Sequence, residues 1–313
     1  MNIIELENVE KEYADRKAVG GISLSIKQGE VFGILGPNGA GKTTTLLMLS
    51  AQLQPTNGVV WFNQMELTKN MKKVKSSVGV VPQEIALYSE MNGFDNLYFF
   101  GSLYGMKRKE LKKRVTSLLK ITGLSDRARE PLSQYSGGMK RRINIAAALL
   151  HNPKVVLMDE PTVGIDPQSR IKIYKLIDLL KREGKTVIYT THYMEEATSL
   201  CDRVAIIDHG KLLMLDSVSN LVDSVAAGII EFQLRAHEQL EQALLEISHL
   251  PFVKEVENSG LKISIVVTMD IQEAIGTLMN KLQTKKILIE NLVIMPPNLE
   301  TVFLRLTGKA LRE

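Results

Sequence analysis

Eight residues constrain this chain more than any others: Gly36-Pro37-Asn38-Gly39-Ala40-Gly41-Lys42-Thr43, a match to the pattern G-x-x-x-x-G-K-[ST]. Their setting matters as much as their identity. The apolar run Val31–Leu35 reads as a short buried strand, and Thr44–Ser50 as the start of a helix. Strand, glycine-rich turn and helix in that order make a cradle of inward backbone N–H groups at a helix N-terminus. Such a cradle takes a polyphosphate. Lys42 would reach the β- and γ-phosphates, and the Thr43 hydroxyl would coordinate Mg²⁺. A glycine-rich turn without a ligand has no structural need of the Lys-Thr pair.

The chain has 313 residues, enough for about two domains. Lys and Arg number 39 against 35 Asp and Glu, a net of +4, too mild to indicate a nucleic-acid partner. The excess is uneven: from Asn220 onward there are 9 basic and 12 acidic residues, so the basic excess lies with the phosphate loop. The single cysteine, Cys201, rules out an internal disulfide, suits a reducing compartment and reads as a small buried apolar residue. No run approaches the roughly 18–20 apolar residues that span a bilayer, and Met1-Asn2-Ile3-Ile4-Glu5 does not begin a signal peptide. The expectation is a cytoplasmic chain, free or docked on something in a membrane.

Residues 1–30 alternate apolar and polar, with Gly20-Gly21 and Gln28-Gly29 as punctuation, and read as antiparallel strands. Residues 107–121 have helical spacing and a basic face, which without interleaved aromatics reads as a solvated surface. A helix over 140–151 stops at Pro153, and strand Val155–Met158 follows. Helix 167–183 ends at Gly184, before strand Thr186–Thr190. Strands alternating with helices predict an α/β fold around a parallel sheet. After about residue 220 the pattern becomes strand 229–234, helix 237–249, strand 252–257, a turn at 258–260, strand 261–267, helix 270–282 and strand 287–294. A short helix follows Pro296-Pro297. This βαββαβ order is the split, ferredoxin-like arrangement of an α+β domain. The expected domains are 1–219 and 220–313.

Four further features narrow the chemistry. Val155–Met158 ends in Asp159-Glu160, two carboxylates where a buried strand meets the ligand crevice. Asp159 is placed to hold Mg²⁺, directly or through water, and Glu160 to act as general base on an attacking water. Tyr135-Ser136-Gly137-Gly138-Met139 precedes a helix starting near Lys140, a second anion-seeking helix start. Gln83, after the apolar Val78–Pro82, offers an amide to Mg²⁺ or to the attacking water. His192, just past a strand end, can donate to a γ-phosphate.

In order and spacing this set resembles the ATP-binding cassette (ABC) ATPases over residues 1 to about 220. Gly36–Thr43 looks like the Walker A loop, Gln83 like the Q-loop glutamine and Tyr135–Met139 like the family signature. Val155–Glu160 looks like Walker B, Gly164-Ile165-Asp166 like the D-loop and His192 like the switch histidine. The resemblance implies a P-loop NTPase domain with antiparallel-β and helical subdomains. It implies ATP held by Gly36, Pro37, Asn38, Gly39, Ala40, Gly41, Lys42, Thr43 and Thr44, with Tyr13 stacked on adenine. It implies Mg²⁺ near Thr43, Gln83 and Asp159, and catalysis by Glu160, His192, Lys42 and Gln83. It also implies a head-to-tail homodimer in which Ser136, Gly137 and Gly138 cover the nucleotide of the second cassette. Tyr135 and Met139 depart from the commonest signature, Leu-Ser-Gly-Gly-Gln, but keep its Ser-Gly-Gly core.

Tyr-Ser-Gly-Gly-Met, Thr190–Ala197 and Asn298–Leu304 look like type-2 ABC exporters, including drug and antibiotic efflux cassettes. The expected function is therefore an ATP-hydrolysing subunit on the inner face of the cell membrane. It would drive efflux of a drug-like, antibiotic or lipid-like substrate through a separate polytopic permease. Tyr88, Met91 and Phe94, within 83–96, would dock that permease. The alternative is a soluble ABC ATPase acting on DNA or the ribosome. Against it, no heptads lie between Lys42 and Ser136, and there is one phosphate loop. The C-terminal domain carries no catalytic constellation. His237 and His249 lack metal-ligand partners, and the domain's expected role is dimerisation or regulation.

Overall fold

The alternating residues near the N-terminus form two long antiparallel strands. Asn2–Tyr13 (β1) pairs with Arg16–Lys27 (β2), Leu6 opposite Leu24 and Tyr13 opposite Arg16. The computed structural model describes residues 1–14, 16–223, 228–295 and 298–307. Gly20-Gly21 does not punctuate the strands as expected; it lies inside β2. Between the pairs Val9–Ile22 and Glu10–Gly20 the second strand carries one extra residue, Gly21, at φ +87°. This is a β-bulge, and a Cβ on Gly21 would sit 2.8 Å from the Asn8 Oδ1. Val31–Leu35 follows as β3. Asn57–Phe62 (β4) and Met65–Glu66 (β5) complete a four-stranded sheet in the order β2-β1-β4-β5.

The phosphate loop hangs from a second sheet. With β3 it contains Val78–Val81 (β6), Val155–Asp159 (β7), Thr186–Thr191 (β8), Arg203–Asp208 (β9) and Lys211–Ser217 (β10). Their order is β10-β9-β3-β8-β7-β6. β3 pairs in parallel with β8 and β9, and β7 with β6 and β8. Every residue of β3, β7 and β8 is buried. Two-sided burial is what makes these runs continuously apolar rather than alternating, and their parallel pairing brings their C-terminal ends to one crevice.

Among the described residues seven α-helices accompany these sheets: Lys42–Leu49 (α1), Met71–Ser77 (α2), Gly93–Leu103 (α3), Arg108–Ile121 (α4), Gly137–Ala148 (α5), Pro167–Arg182 (α6) and Met194–Leu200 (α7). In α4 the buried face is Leu111, Val115, Leu118 and Leu119, and Lys112, Lys113 and Lys120 are exposed, a solvated basic face as the spacing predicts. α5 starts three residues before the expected Lys140. Ser136 is its N-cap and accepts from the Met139 N–H at 3.3 Å, so Gly137 and Gly138 form the first turn. It also ends at Ala148, before the expected 151, as the chain turns toward Pro153.

The described residues divide into two compact units between Asp216 and Ser217. The second unit contains Val218–Asp223 (α8), Gly228–Leu234 (β11), Leu240–Ser248 (α9), Val253–Ser259 (β12), Lys262–Val267 (β13), Ile271–Thr284 (α10), Ile289–Met295 (β14) and Leu299–Thr307 (α11). Its sheet order, β12-β13-β11-β14 with all neighbours antiparallel, is the ferredoxin-like arrangement expected from the βαββαβ pattern. Ile230, Phe232, Ile263, Ile265 and Leu278 lie in its core. Two local expectations shift. Residues 237–239 form a 3₁₀ turn ahead of α9, and Asn258 and Ser259 stay in strand, narrowing the turn to Gly260-Leu261. Pro296-Pro297 lies outside the described residues. His237 and His249 are exposed.

Among the described residues no group of three or more His, Cys, Asp and Glu is suited to a metal ion. No helix among them is long and apolar enough to cross a membrane. Cys201 is free and buried, and burial pushes its thiol well up from the ordinary value.

Candidate active site

The phosphate loop is pressed from two sides. A Cβ on Gly36 would lie 2.2 Å from the Ile207 carbonyl oxygen, and one on Gly41 2.6 Å from that of Ala18. Gly41 also stands at φ +103°, the left-handed conformation from which α1 begins without a side-chain cap. Helix therefore starts at Lys42, two residues before the expected Thr44. Pro37 and Ala40 are buried, Thr44 is half-buried, and Asn38, Gly39 and Thr43 are exposed, so the loop opens along those last three. The Lys42 ammonium turns inward. It donates to the Gly36 and Pro37 carbonyls at 2.8 and 3.0 Å and pairs with the Glu160 Oε1 at 3.0 Å.

β7 delivers the carboxylates. Asp159 and Glu160 are both buried, and Glu160 stands at φ +42°, a conformation few side chains adopt. Thr190, at the end of β8, holds them. Its Oγ1 accepts from the Glu160 N–H at 2.9 Å and donates to the Asp159 Oδ1 at 2.7 Å. On its other side Glu160 meets His192, with Oε2 3.0 Å from Nδ1. Lys42, Glu160 and His192, singled out separately from the sequence, thus form one line of contacts. The role of Thr190 at the site escaped notice because a threonine in a buried strand gives no sign of what its hydroxyl faces.

A further buried carboxylate, Glu196 of α7, has a role the sequence did not show. Thr162 and Tyr174 donate to its Oε1 at 2.7 and 3.0 Å, and Tyr189 and Thr191 to its Oε2 at 2.7 and 2.9 Å. Burial, with the Glu196 charge second, pushes the Tyr189 and Tyr174 phenols up. Glu196 thereby ties the segment after Glu160, the strand before His192 and helix α6 to one point.

Thr43, Gln83 and Asp159 line one cavity of about 510 Å³, together with Leu47, Phe100 and Tyr104. Gln83 is exposed. Its segment is held from α5, where Arg141 donates to the Pro82 carbonyl at 2.7 Å and to that of Gln83. A hydroxyl, an amide and one carboxylate fit Mg²⁺, which keeps water and phosphate oxygens as its other ligands.

Ser136, Gly137 and Gly138 belong to a different surface. Ser136 and Gly137 are exposed, whereas Gly138 is buried, a Cβ there meeting Ser169 at 2.2 Å. Asp166 caps α6 by accepting from the Ser169 N–H at 2.9 Å, so the Gly164–Asp166 turn and the signature pack together. Among the described residues no hydrogen bond joins Ser136–Gly138 to the chain's own phosphate loop. Tyr13 is 45% exposed, with the Lys11 ammonium 5.4 Å from its ring centre. Of the three residues expected to meet a permease, Tyr88 is exposed, meets Phe99 edge to face and stacks on Phe100. Met91 and Phe94 are half-buried, and the Arg129 guanidinium lies 4.2 Å from the Phe94 ring centre.

The family described as ABC transporter matches residues 19–163. Linearmycin resistance ATP-binding protein LnrL of Bacillus subtilis is 42% identical over 312 residues, 99% of this chain and 100% of that protein. Nod factor export ATP-binding protein I of Ralstonia nicotianae is 35% identical, covering 99% and 95%. Among solved structures, cbiO1 from Clostridium perfringens, part of the ABC transporter complex cbiONQ, is 31% identical. It has a TM-score of 0.65 and covers 72% of this chain and 94% of that one. The ATP-binding cassette MJ0796, in a dimeric post-hydrolysis state with ADP and Pi, is 28% identical with a TM-score of 0.63, covering 68% and 98%. These relatives set aside the alternative of a cassette serving DNA or the ribosome. On sequence over its whole length and on fold, the chain belongs to the ABC transporter family as an ATP-binding, ATP-hydrolysing subunit.

Proposed function

We propose that this chain energises an exporter for drug-like, antibiotic or lipid-like molecules, working on the inner face of the cell membrane through a separate polytopic permease. The observation that carries the catalytic half is the line of contacts Lys42–Glu160–His192 beside the phosphate loop. ATP lies along Gly36–Thr44 with Tyr13 against the adenine. The oxygen of a water attacks the γ-phosphorus while Glu160 takes its proton, and the bond to the β–γ bridging oxygen breaks, releasing ADP and inorganic phosphate. Lys42 exchanges Glu160 for phosphate oxygens, His192 donates to the γ-phosphate, and Gln83 orients the water. Mg²⁺, held by Thr43, Gln83 and Asp159, would neutralise charge on the β- and γ-oxygens.

The nucleotide is completed by Ser136, Gly137 and Gly138 of the partner subunit in a homodimer. The exposure of Ser136 and Gly137, away from their own loop, supports this, as does the dimeric state of MJ0796. Export of an antibiotic or lipid-like molecule is supported by the names of the linearmycin-resistance and Nod-factor-export relatives. The permease docks on the aromatic surface around Tyr88. Residues 1–219 form the nucleotide-binding domain, and 220–313 hold the dimer or regulate it.

Glu160→Gln tests the chemistry. Phosphate release should fall by about 10²–10⁴-fold with ATP still bound; hydrolysis at the wild-type rate would overturn the role of Glu160. Affinity purification from detergent-solubilised membranes tests the transport half. A polytopic membrane protein should co-purify in near-equal amount, and ribosomal or DNA-bound partners in its place would overturn it.

A further inference from the structure

We propose that Arg16 is a nucleotide-contacting residue that gives the polyphosphate a second side-chain cation besides Lys42, an inference that rests on Gly36–Thr43 being an ATP cradle. Arg16 opens β2 directly opposite Tyr13. Its Nη2 lies 3.5 Å from where a Cβ on Gly39 would stand, at the open tip of the loop.

Two positions further along the strand, the Ala18 carbonyl fills the space beside Gly41, two positions further along the loop. Residues i and i+2 share a face of a strand, so hairpin and loop run side by side in register. Arg16 is thus carried by a strand fixed against the cradle.

Among the described residues the Arg16 guanidinium makes no hydrogen bond or ion pair, whereas its neighbour Lys17 reaches Glu10 at 2.6 Å. Among the described residues no carboxylate pairs with Arg16. Lys42 takes up Glu160, and the first turn of α1 contains no acidic residue. A guanidinium beside a loop of exposed N–H groups and an uncapped helix N-terminus adds positive potential to positive potential. That arrangement lowers its energy by taking an anion, and a planar fork of N–H donors suits phosphate oxygens. The two ends of one hairpin turn would then take the two ends of one nucleotide: Tyr13 the base, Arg16 the phosphates.

The test is a comparison of AMP, ADP and ATP binding by calorimetry to wild type, Arg16→Ala, Arg16→Lys and Tyr13→Ala. Arg16→Ala should weaken ATP by about tenfold, ADP by less and AMP least, with Arg16→Lys recovering part of the loss. Tyr13→Ala should weaken all three by a similar factor. ATP binding to Arg16→Ala at the wild-type affinity overturns the proposal, as does an equal loss for all three nucleotides, which disruption of the hairpin would produce. A wild-type chain that binds no adenine nucleotide would instead overturn the cradle itself.

Discussion

Thr190→Val removes one hydroxyl and nearly nothing of the shape. Thr190 is fully buried, and its oxygen accepts from the Glu160 N–H and donates to Asp159. Losing the first bond leaves a buried backbone donor unpaired, at about 1–3 kcal/mol, and losing the second removes a hydrogen bond to a carboxylate, at about 1.5–3 kcal/mol. The two share an atom and do not add fully, so we predict a loss of about 2–4 kcal/mol in unfolding free energy. The chain contains a single tryptophan, Trp61 in β4, inside the first unit. Its fluorescence during urea unfolding reads the unit that holds the site. Turnover should fall by about 10–100-fold, because the same bond holds Glu160 in its left-handed conformation. Thr190→Ser, which keeps the hydroxyl, should retain most of both quantities. A valine variant within about 0.5 kcal/mol of wild type with unchanged turnover would refute the reasoning.

Two further outcomes concern Glu196 and His151. Glu196→Leu strands four hydroxyls and should cost at least about 3 kcal/mol by the same fluorescence measurement, with Glu196→Gln milder because hydroxyls can rotate to meet an amide; equal losses would deny that the hydroxyls matter. His151, stacked on Tyr104 with Nε2 3.1 Å from the Val78 carbonyl, is pushed by burial below the ordinary histidine value. The unfolded chain takes up that proton near pH 6.5 and the folded chain resists it. His151 therefore contributes stability that is present above about pH 6.5 and lost as pH falls. The slope falls short of the limit of about 1.4 kcal/mol per pH unit because the ring is only half buried. A His151→Phe variant should lose stability less steeply than wild type between about pH 7 and 5, and parallel curves would sink this assignment.

The sequence is most legible where short-range rules act. Strand, glycine turn and Lys-Thr pair lie within thirteen residues, so the cradle could be anticipated, whereas the turn of Lys42 onto Glu160 could not. The βαββαβ order of the second unit was equally readable, since each element declares itself by periodicity. What could not be read is which side chains meet across the sheet. Thr190 and Glu160 are thirty positions apart, and only the parallel register of β7 and β8 puts one under the other. Glu196 sits among hydroxyls drawn from two elements, α6 and β8, and the segment after Glu160, none of which marks itself in one dimension. Gly20-Gly21 misled for a related reason: a glycine pair signals a break, but whether it ends a strand or bulges it depends on the partner strand.

The ion pair between Lys42 and Glu160 changes how inactive variants should be judged. Both partners are buried, and each is the other's nearest opposite charge at 3.0 Å. Replacing Lys42 by alanine deletes a phosphate ligand, but it also strips a buried carboxylate of its counter-ion, a lesion that costs about 3–5 kcal/mol in other proteins. Such a variant would lose activity partly through an eroded folded population. Neutralising both residues together would restore the fold without the chemistry, so the pair separates two causes of failure that either single substitution confounds.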